Sequence, residues 1–214
     1  MEDIAPPDLD ETLISAAFAL IAEEGWCGLS VARAARHAGL EVAAVRGRFP
    51  GKITILMRFG EMADKAALTG ALVDGPVRDR IFDIVMRRLD ALQAHRAGVL
   101  ALLRDLPRDP LTAIALGPAS LRSMGWMLDG VGVPTNGLRG KLRIQGMLAL
   151  WLATLRAWSS DHSEDLSATM AALDKALDRA VQAEATMAEM LGGKPAAAQA
   201  AEADLSMGSE PSPD

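Results

Sequence analysis

Residues 25–58 read GWCGLSVARAARHAGLEVAAVRGRFPGKITILMR, and this stretch decides the predicted fold. Ser30 can cap a short helix over 31–37, and Gly39 suits the left-handed residue that a tight turn after that helix requires. A further helix is predicted over 41–48. Two short helices joined by such a turn form a helix-turn-helix, whose second helix can enter the major groove of DNA.

The same stretch is a local excess of positive charge in an acidic chain. Its six cations and one acid, Glu41, give 6 − 1 = +5, whereas the whole chain carries −6. The cations are Arg33, Arg36, Arg46, Arg48, Lys52 and Arg58. The overall acidity argues against indiscriminate binding of nucleic acid, but it leaves room for one local basic face.

The rest of the sequence predicts an all-α protein. Half of the 214 residues are apolar, Tyr is absent, and strictly alternating Val/Ile runs are missing. Apolar residues at helical spacing predict about nine helices, the first with Asp8 at its N-terminus. Besides 31–37 and 41–48, the predicted helices span 9–24, 52–72, 77–95, 97–106, 138–158 and 163–191. One more is predicted to begin at 110 and to break or kink at Gly117-Pro118 before it continues over 119–129.

These patterns divide the chain into four parts. We expect a flexible N-terminus over 1–8 and a helix-turn-helix domain over 9–51. A C-terminal helical bundle for ligand binding and dimerisation would span 52–191, and a disordered acidic tail would span 192–214.

Composition also indicates the compartment. A single cysteine excludes an internal disulfide, which favours a reducing environment. The sequence has no basic segment followed by an apolar core, so the pattern of a signal peptide is not visible. The apolar stretch 144–158 contains Gln145 and Arg156, so it is a poor membrane span. We therefore expect a cytoplasmic protein.

Residue patterns typical of enzymes are missing from the sequence. His37, His95 and His162 are far apart and lack the spacing of metal ligands. The sequence also lacks a glycine-rich phosphate loop, a Gly-x-Ser-x-Gly motif and a Cys/His nucleophile pair. We expect no enzymatic activity, with no catalytic residue, metal site or cofactor.

The spacing G-W-x-x-L-S-V-x-x-A-A-x-x-A-G-L-x-x-x-x-V-x-x-x-F-x-x-K-x-x-x-L, within residues 9–62, resembles the N-terminal DNA-binding domain of the TetR regulator family. The matching positions include Gly25, Leu29, Ser30, Ala35, Ala38, Gly39, Leu40, Phe49 and Lys52. In that family the third helix reads the major groove and the lysine lies near phosphate. The resemblance implies DNA contacts by Ser30, Arg33, Arg36, Val42, Ala43, Ala44, Arg46, Arg48 and Lys52.

Two positions depart from the family pattern. Arg46 stands where a Tyr is usual, and Glu41 stands where a Ser or Thr is usual. Glu41 suits the helix dipole, but it places an acid near the expected phosphates. The third helix lacks Asn or Gln for adenine, so base readout would depend on Arg46, Arg48 and methyl contacts from two alanines.

Apolar residues of the C-terminal helices predict a cavity for a small apolar effector or a lipid. The expected lining is Met86, Leu103, Leu116, Leu121, Met124, Trp126, Met127, Met147 and Trp151, with Arg122 as the charge that orients the ligand. The same residues are equally compatible with ordinary core packing, in which methionines fill irregular gaps.

The last two helices carry broad apolar stripes that predict a homodimer. The expected interface residues are Leu148, Leu152, Leu155, Leu166, Met170, Leu173, Leu177 and Val181. Two such helices and their symmetry mates would form a four-helix interface. The alternative is that both helices complete the core of one subunit.

Residues 78–181, with D-x-S-x-D-L-x-x-T-M-x-x-L-D-x-x-L-D at 161–178, are similar to the lipid-binding accessory proteins of coenzyme Q biosynthesis, which have a TetR-like fold. Two functions follow from the two resemblances. The first is a TetR-type one-component regulator, a repressor that binds operator DNA as a dimer and is released by a small apolar effector. The alternative is an isoprenoid-binding accessory protein of quinone biosynthesis that has lost DNA reading. A membrane contact is not expected, and it is compatible only with this alternative.

Overall fold

The structure of the chain is a computed structural model that describes residues 8–190. The expected flexible N-terminus, apart from Asp8, and the expected tail over 192–214 lie outside these residues. Within 8–190 the chain is all-helical and has no strand, as predicted. The α-helices are α1 (Leu9–Gly28), α2 (Val31–His37), α3 (Val42–Arg46), α4 (Lys52–Leu68), α5 (Val77–Gln93), α6 (Arg96–Asp105), α7 (Pro110–Gly130), α8 (Gly137–Ser160) and α9 (Ser167–Met190).

Helix α1 is interrupted where the sequence predicts its end. Asp8 caps its N-terminus, accepting a hydrogen bond from the backbone N of Asp10 at 3.2 Å. Gly25 has φ 78° and ψ 175°, which lies outside the helical region and strains any residue with a Cβ. A Cβ at Gly25 would also lie 2.6 Å from Oδ2 of Asp105. The turn at Trp26–Gly28 therefore depends on glycine at this position.

Some predicted helix ends differ from the observed ones. Helix α3 spans five residues instead of 41–48. The sequence predicts a break or a kink at Gly117-Pro118, and helix α7 continues through Pro118, so the break is absent. Pro118 and Ile114 are both exposed, and the Ile114 carbonyl that loses its helical donor can be hydrated instead.

The described chain divides into two compact units that differ from the contiguous division expected from sequence. Unit 1 contains the described residues up to Lys65 together with Asp90–Ser120. Unit 2 contains Ala66–Leu89 and the described residues from Leu121 onward. Unit 1 therefore includes α6 and the start of α7 as well as the helix-turn-helix.

Helix α6 belongs to unit 1 because it packs very closely on α1. A Cβ at Gly98 of α6 would lie 2.3 Å from the carbonyl oxygen of Phe18, so only glycine permits this approach. The Phe18 ring lies 4.3 Å from that of Phe59 and 5.5 Å from that of His95, measured between ring centres. Burial in this cluster lowers the pKa of His95, so the neutral form is favoured.

Unit 2 is held together chiefly by α8 packing on α9. Trp158 of α8 and Leu173 of α9 are fully buried. At the surface, Arg78 of α5 contacts Asp174 and Asp178 of α9 at 2.7 and 2.8 Å. Exposed pairs of this kind contribute little individually, so the apolar contacts carry most of the stability of this unit.

The connection between α8 and α9 is organised by Asp161, which is buried. Its carboxylate accepts hydrogen bonds from the hydroxyl and backbone N of Ser163 and from the hydroxyl and backbone N of Thr169. These bonds, those from the Ser163 and Thr169 side chains above all, hold the pKa of Asp161 far below its usual value. The predicted start of the last helix at 163 is therefore displaced to Ser167.

Asp161 predicts an acid-sensitive step in stability. Because its folded-state pKa is lowered, its contribution is fully present above the unfolded-state pKa of about 3.9 and is lost as the pH falls through the folded value. We expect the urea midpoint of the wild type to fall below about pH 4. Asp161→Asn should have a lower midpoint at neutral pH and a flatter acid limb. Glu164→Gln, an exposed change in the same loop, is the control, and parallel curves for Asp161→Asn and the wild type would contradict the assignment.

None of the helices within residues 8–190 combines the length and the hydropathy that a membrane crossing needs.

Candidate nucleic-acid interface

The turn between α2 and α3 has the geometry of a helix-turn-helix. Ser30 caps α2, its Oγ accepting a hydrogen bond from the backbone N of Arg33 at 3.2 Å. Gly39 takes the left-handed conformation with φ 67°, and the backbone N of Leu40 donates to the Ala35 carbonyl at 2.8 Å. These contacts close a short, well-capped turn.

Helix α3 is anchored by two buried side chains and is otherwise open to solvent. Val45 is fully buried and Phe49 is 2 % exposed. The predicted reading residues are all exposed and therefore share the outer face of the helix: Val42, Ala43, Ala44 and Arg46. A helix of five residues held from beneath in this way presents most of its surface to a partner.

Arg36 and Arg46 are exposed cations close to this face in sequence. Neither has an ion-pair partner within residues 8–190. An exposed guanidinium group without an internal acidic partner can bind phosphate or the O6 and N7 atoms of guanine. These two residues are therefore the cations best able to contact DNA.

Arg33 is already engaged inside the protein. Its Nη2 forms an ion pair with Glu24 of α1, and its Nη1 donates to the Gly28 carbonyl at 2.6 Å. The hydrogen bond from Arg33 lowers the pKa of Glu24, and Glu24 in turn raises the pKa of Arg33. The Glu24 carboxylate thus pairs with a guanidinium group that was predicted from the sequence to contact DNA.

Arg48 is also paired, with a buried acid. Asp10 of α1 is 3 % exposed, and its Oδ1 lies 2.9 Å from Nη2 of Arg48. Its Oδ2 accepts a hydrogen bond from Nε of Arg58 at 2.7 Å. The Arg48 contact is an ion pair that lacks hydrogen-bond alignment at Oδ1, so it is the weaker of the two.

Lys52, the predicted phosphate contact, is tied to Trp26. Its Nζ donates to the Trp26 carbonyl at 3.0 Å and lies 4.2 Å from the centre of the indole ring. Trp26 is fully buried. Lys52 therefore stabilises the end of α1 through a hydrogen bond and a cation–π contact, and the residue as a whole is half-buried.

Trp26 is in turn fixed by two acids that the sequence did not single out. Its backbone N donates to Asp105, and its indole Nε1 donates to Asp109, both at 2.9 Å. The Trp26 backbone bond lowers the pKa of Asp105, and hydrogen bonds from Thr112 and then Trp26 lower that of Asp109. Both acids lie about 80 residues from Trp26, so no local pattern could reveal them.

The predicted effector-lining residues do not share one environment. Met124, Met127, Met147 and Trp151 are buried in unit 2, and Met86 is half-buried there; Leu103 and Leu116 are half-buried in unit 1. Trp126 is 62 % exposed, and Leu121 and Arg122 are exposed too. Arg122 thus lies at the surface of unit 2 and not in its apolar interior.

A different arginine lies among the apolar side chains of unit 2. Arg88 of α5 is 7 % exposed, and its guanidinium carbon is 4.3 Å from the centre of the Trp151 ring. Arg88 was not among the predicted lining residues, although its spacing from Ile84 and Leu92 places it on the apolar side of α5. That spacing was the signal that could have found it.

The predicted dimer residues separate into buried and exposed sets. Leu155, Leu166, Leu173 and Leu177 are buried within unit 2, and Leu148 and Met170 are half-buried. Leu152 on α8 and Val181 on α9 are each 54 % exposed. The stripe therefore serves largely as core of the single chain, and only its outer edge reaches solvent.

Within the part of the chain that the structure describes, no group of three or more His, Cys, Asp or Glu side chains could hold a metal ion.

Comparisons with known proteins reveal likeness in fold. No protein-family model matches the sequence. No curated protein matches it significantly. Solved structures do match, over most of this chain and nearly all of theirs.

Three of the matching structures are transcriptional regulators. A TetR transcriptional regulator from Nitrosomonas europaea has a TM-score of 0.64 and 20% identity, covering 80% of this chain and 97% of its own. A TetR-family regulator from Streptomyces coelicolor has a TM-score of 0.55 and 19% identity, covering 92% and 99%. A transcriptional regulator from Rhodococcus sp. Rha1 has a TM-score of 0.51 and 21% identity, covering 82% and 97%. The chain has the fold of the TetR-family transcriptional regulators.

Proposed function

We propose that the chain is a one-component transcriptional repressor that works in the cytoplasm and binds operator DNA as a dimer through α2 and α3. The observation that carries this proposal is the outer face of α3, which is exposed while Val45 and Phe49 anchor the helix from beneath. Exposed Arg36 and Arg46 provide the charge that phosphate and guanine require. The proposal includes no catalytic role.

On DNA, each exposed group has a role that its chemistry suits. Arg46 would donate to the edge of guanine, and the methyl groups of Ala43 and Ala44 would contact the methyl group of thymine. Arg36 would bind phosphate, as would the hydroxyl hydrogen of Ser30, whose oxygen already accepts the cap bond. The contacts of Arg33, Arg48 and Lys52 require that their internal partners be exchanged for phosphate.

Dimerisation would use the exposed edge of α8 and α9. Leu152 and Val181 are large apolar side chains left in solvent on the two helices that pack on each other. A two-fold dimer would cover both, and an operator read by two α3 helices would have half-sites about 34–36 Å apart, one turn of DNA. A smaller set of residues than the predicted stripe would thus form the interface.

The effector would be a small apolar molecule bound by unit 2. Met124, Met147 and Trp151 provide an apolar interior in which flexible methionines can adjust to a ligand. Such a molecule weakens operator binding only if it prefers the conformation that does not fit DNA.

Fluorescence anisotropy with a labelled duplex from upstream of the protein's own gene tests this function. We expect binding that prefers this duplex over a scrambled one and that weakens steeply as salt rises. The absence of binding at low salt, or equal binding to both duplexes at every salt concentration, would overturn the proposal.

One observation favours a second function, an isoprenoid-binding accessory protein that has the fold but does not read DNA. Glu41, at the N-terminus of α3, is exposed and makes no capping hydrogen bond with its side chain, so its charge faces the expected phosphates. Native mass spectrometry distinguishes the two, because it reports a retained lipid as well as the mass of a dimer. Copurified isoprenoid without operator binding supports the second function; a lipid-free dimer that binds its operator supports the first.

A further inference from the structure

Two of the arginines assigned to DNA are paired with acids of the same helix. Glu24 and Asp10 both belong to α1, and they contact Arg33 and Arg48 respectively. Counting these acids with the basic stretch 25–58 changes its charge from +5 to 5 − 2 = +3. Helix α1 therefore neutralises part of the surface that α2 and α3 present.

Both arginines remain within reach of solvent despite their pairing. The side chain of Arg33 is 43% exposed and that of Arg48 is 51% exposed. A carboxylate and a phosphate bind the same planar set of guanidinium donors. A phosphate that contacts either arginine must therefore compete with the internal acid for those donors.

Asp10 has a geometry that permits this exchange. It is held from its other oxygen by Arg58, at 2.7 Å and with hydrogen-bond alignment. If Arg48 turns toward DNA, the buried carboxylate keeps Arg58 as its partner and is not left without a cation. Glu24 is 40% exposed, so water solvates it once Arg33 leaves.

We propose that Asp10 and Glu24 act as internal competitors of phosphate that suppress non-specific DNA binding. Binding to random DNA depends on phosphate contacts, which these acids weaken. Recognition of bases by Arg46 does not involve either acid, because Arg46 has no ion-pair partner within residues 8–190. Random DNA therefore offers nothing that offsets the cost of displacing the acids, whereas the operator offers the base contacts of Arg46. The inference rests on the proposed DNA-binding function.

The test uses Asp10→Asn and Glu24→Gln, with Glu23→Gln as the matched control. Glu23 is an exposed acid of α1 without an ion pair in the described part of the chain, so its variant changes the net charge equally but releases no arginine. Binding to a random duplex is measured by anisotropy over a salt series, and binding to the upstream duplex is measured in parallel. Thermal melting of each variant reports whether it is folded.

We expect each of the two variants to bind random DNA more tightly than Glu23→Gln. The slope of log affinity against log salt should steepen by about 0.9 for each released arginine, which is about 3.5-fold more loss between about 50 and 200 mM salt. A purely structural role would not steepen the slope. If Asp10→Asn melts early, Glu24→Gln decides, because its half-exposed pair is not part of the core.

The outcomes separate this inference from the proposed function. Slopes equal to that of Glu23→Gln, in a protein that does bind its operator, would overturn the inference alone. A wild type and variants that all fail to bind at low salt would overturn both. DNA binding that appears only in Asp10→Asn and Glu24→Gln would support competition by the two acids. It would also overturn the proposed binding of operator DNA by the wild type.

Discussion

Replacing Trp26 with alanine is expected to lower the free energy of unfolding by about 3–5 kcal/mol. The indole is fully buried, and its loss leaves a cavity in unit 1. The substitution also removes the donor to Asp109 and the ring beneath the Lys52 ammonium. Equilibrium unfolding in urea, monitored by circular dichroism, measures the effect.

Trp126→Ala is the matched control, since it deletes the same side chain where it is 62 % exposed. Surface substitutions usually change stability by about 0.5 kcal/mol or less, so the control should unfold close to the wild type. Equal losses in the two variants would show that Trp26 is not the anchor that its contacts indicate. Trp26→Phe should recover part of the loss, because it refills the cavity without restoring the hydrogen bond to Asp109.

Arg46→Ala is expected to weaken binding to the upstream duplex by about 1–3 kcal/mol, which is roughly 5- to 160-fold. The reason is that the exposed guanidinium of Arg46 is the group best able to read guanine from α3. Binding to random DNA should change much less. The ratio of the two affinities, obtained by anisotropy at one salt concentration, measures the loss of specificity.

Two further variants separate base reading from charge. Arg36→Ala should weaken binding to both duplexes by a similar factor and reduce the salt slope by about 0.9, as expected of a phosphate contact. Arg122→Ala removes the same charge from an exposed position of α7 in unit 2 and should leave both affinities unchanged. Equal losses for Arg46→Ala and Arg122→Ala would contradict the role assigned to α3.

Local signals in the sequence predicted the helix-turn-helix closely. Helix α2 has the predicted bounds, because its cap Ser30 and its terminating turn at Gly39 lie within a few residues of it. Helix α9 was predicted to begin at residue 163, but it begins at Ser167. Its start depends on the hydrogen bonds that Asp161 accepts from Thr169, and helix propensities do not predict a contact across eight residues.

The candidate site was predicted in part. The exposed residues of α3 lie together because helical periodicity places Val45 inward and its neighbours outward. The effector residues were less predictable, since a methionine in a cavity wall and a methionine in a packed core have the same sequence pattern. Arg88 is an example: its burial against Trp151 depends on where α8 packs.

The sequence by itself determined the all-helical class, the caps and the glycine turns, because each is encoded by residues that are neighbours along the chain. Only the tertiary structure decided which cations of 25–58 are available to DNA. Asp10, which pairs with Arg48, and Asp105, which holds Trp26, come from distant segments. A charge is neutralised by whichever acid lies within a few ångströms, and that distance is set by packing and not by sequence order.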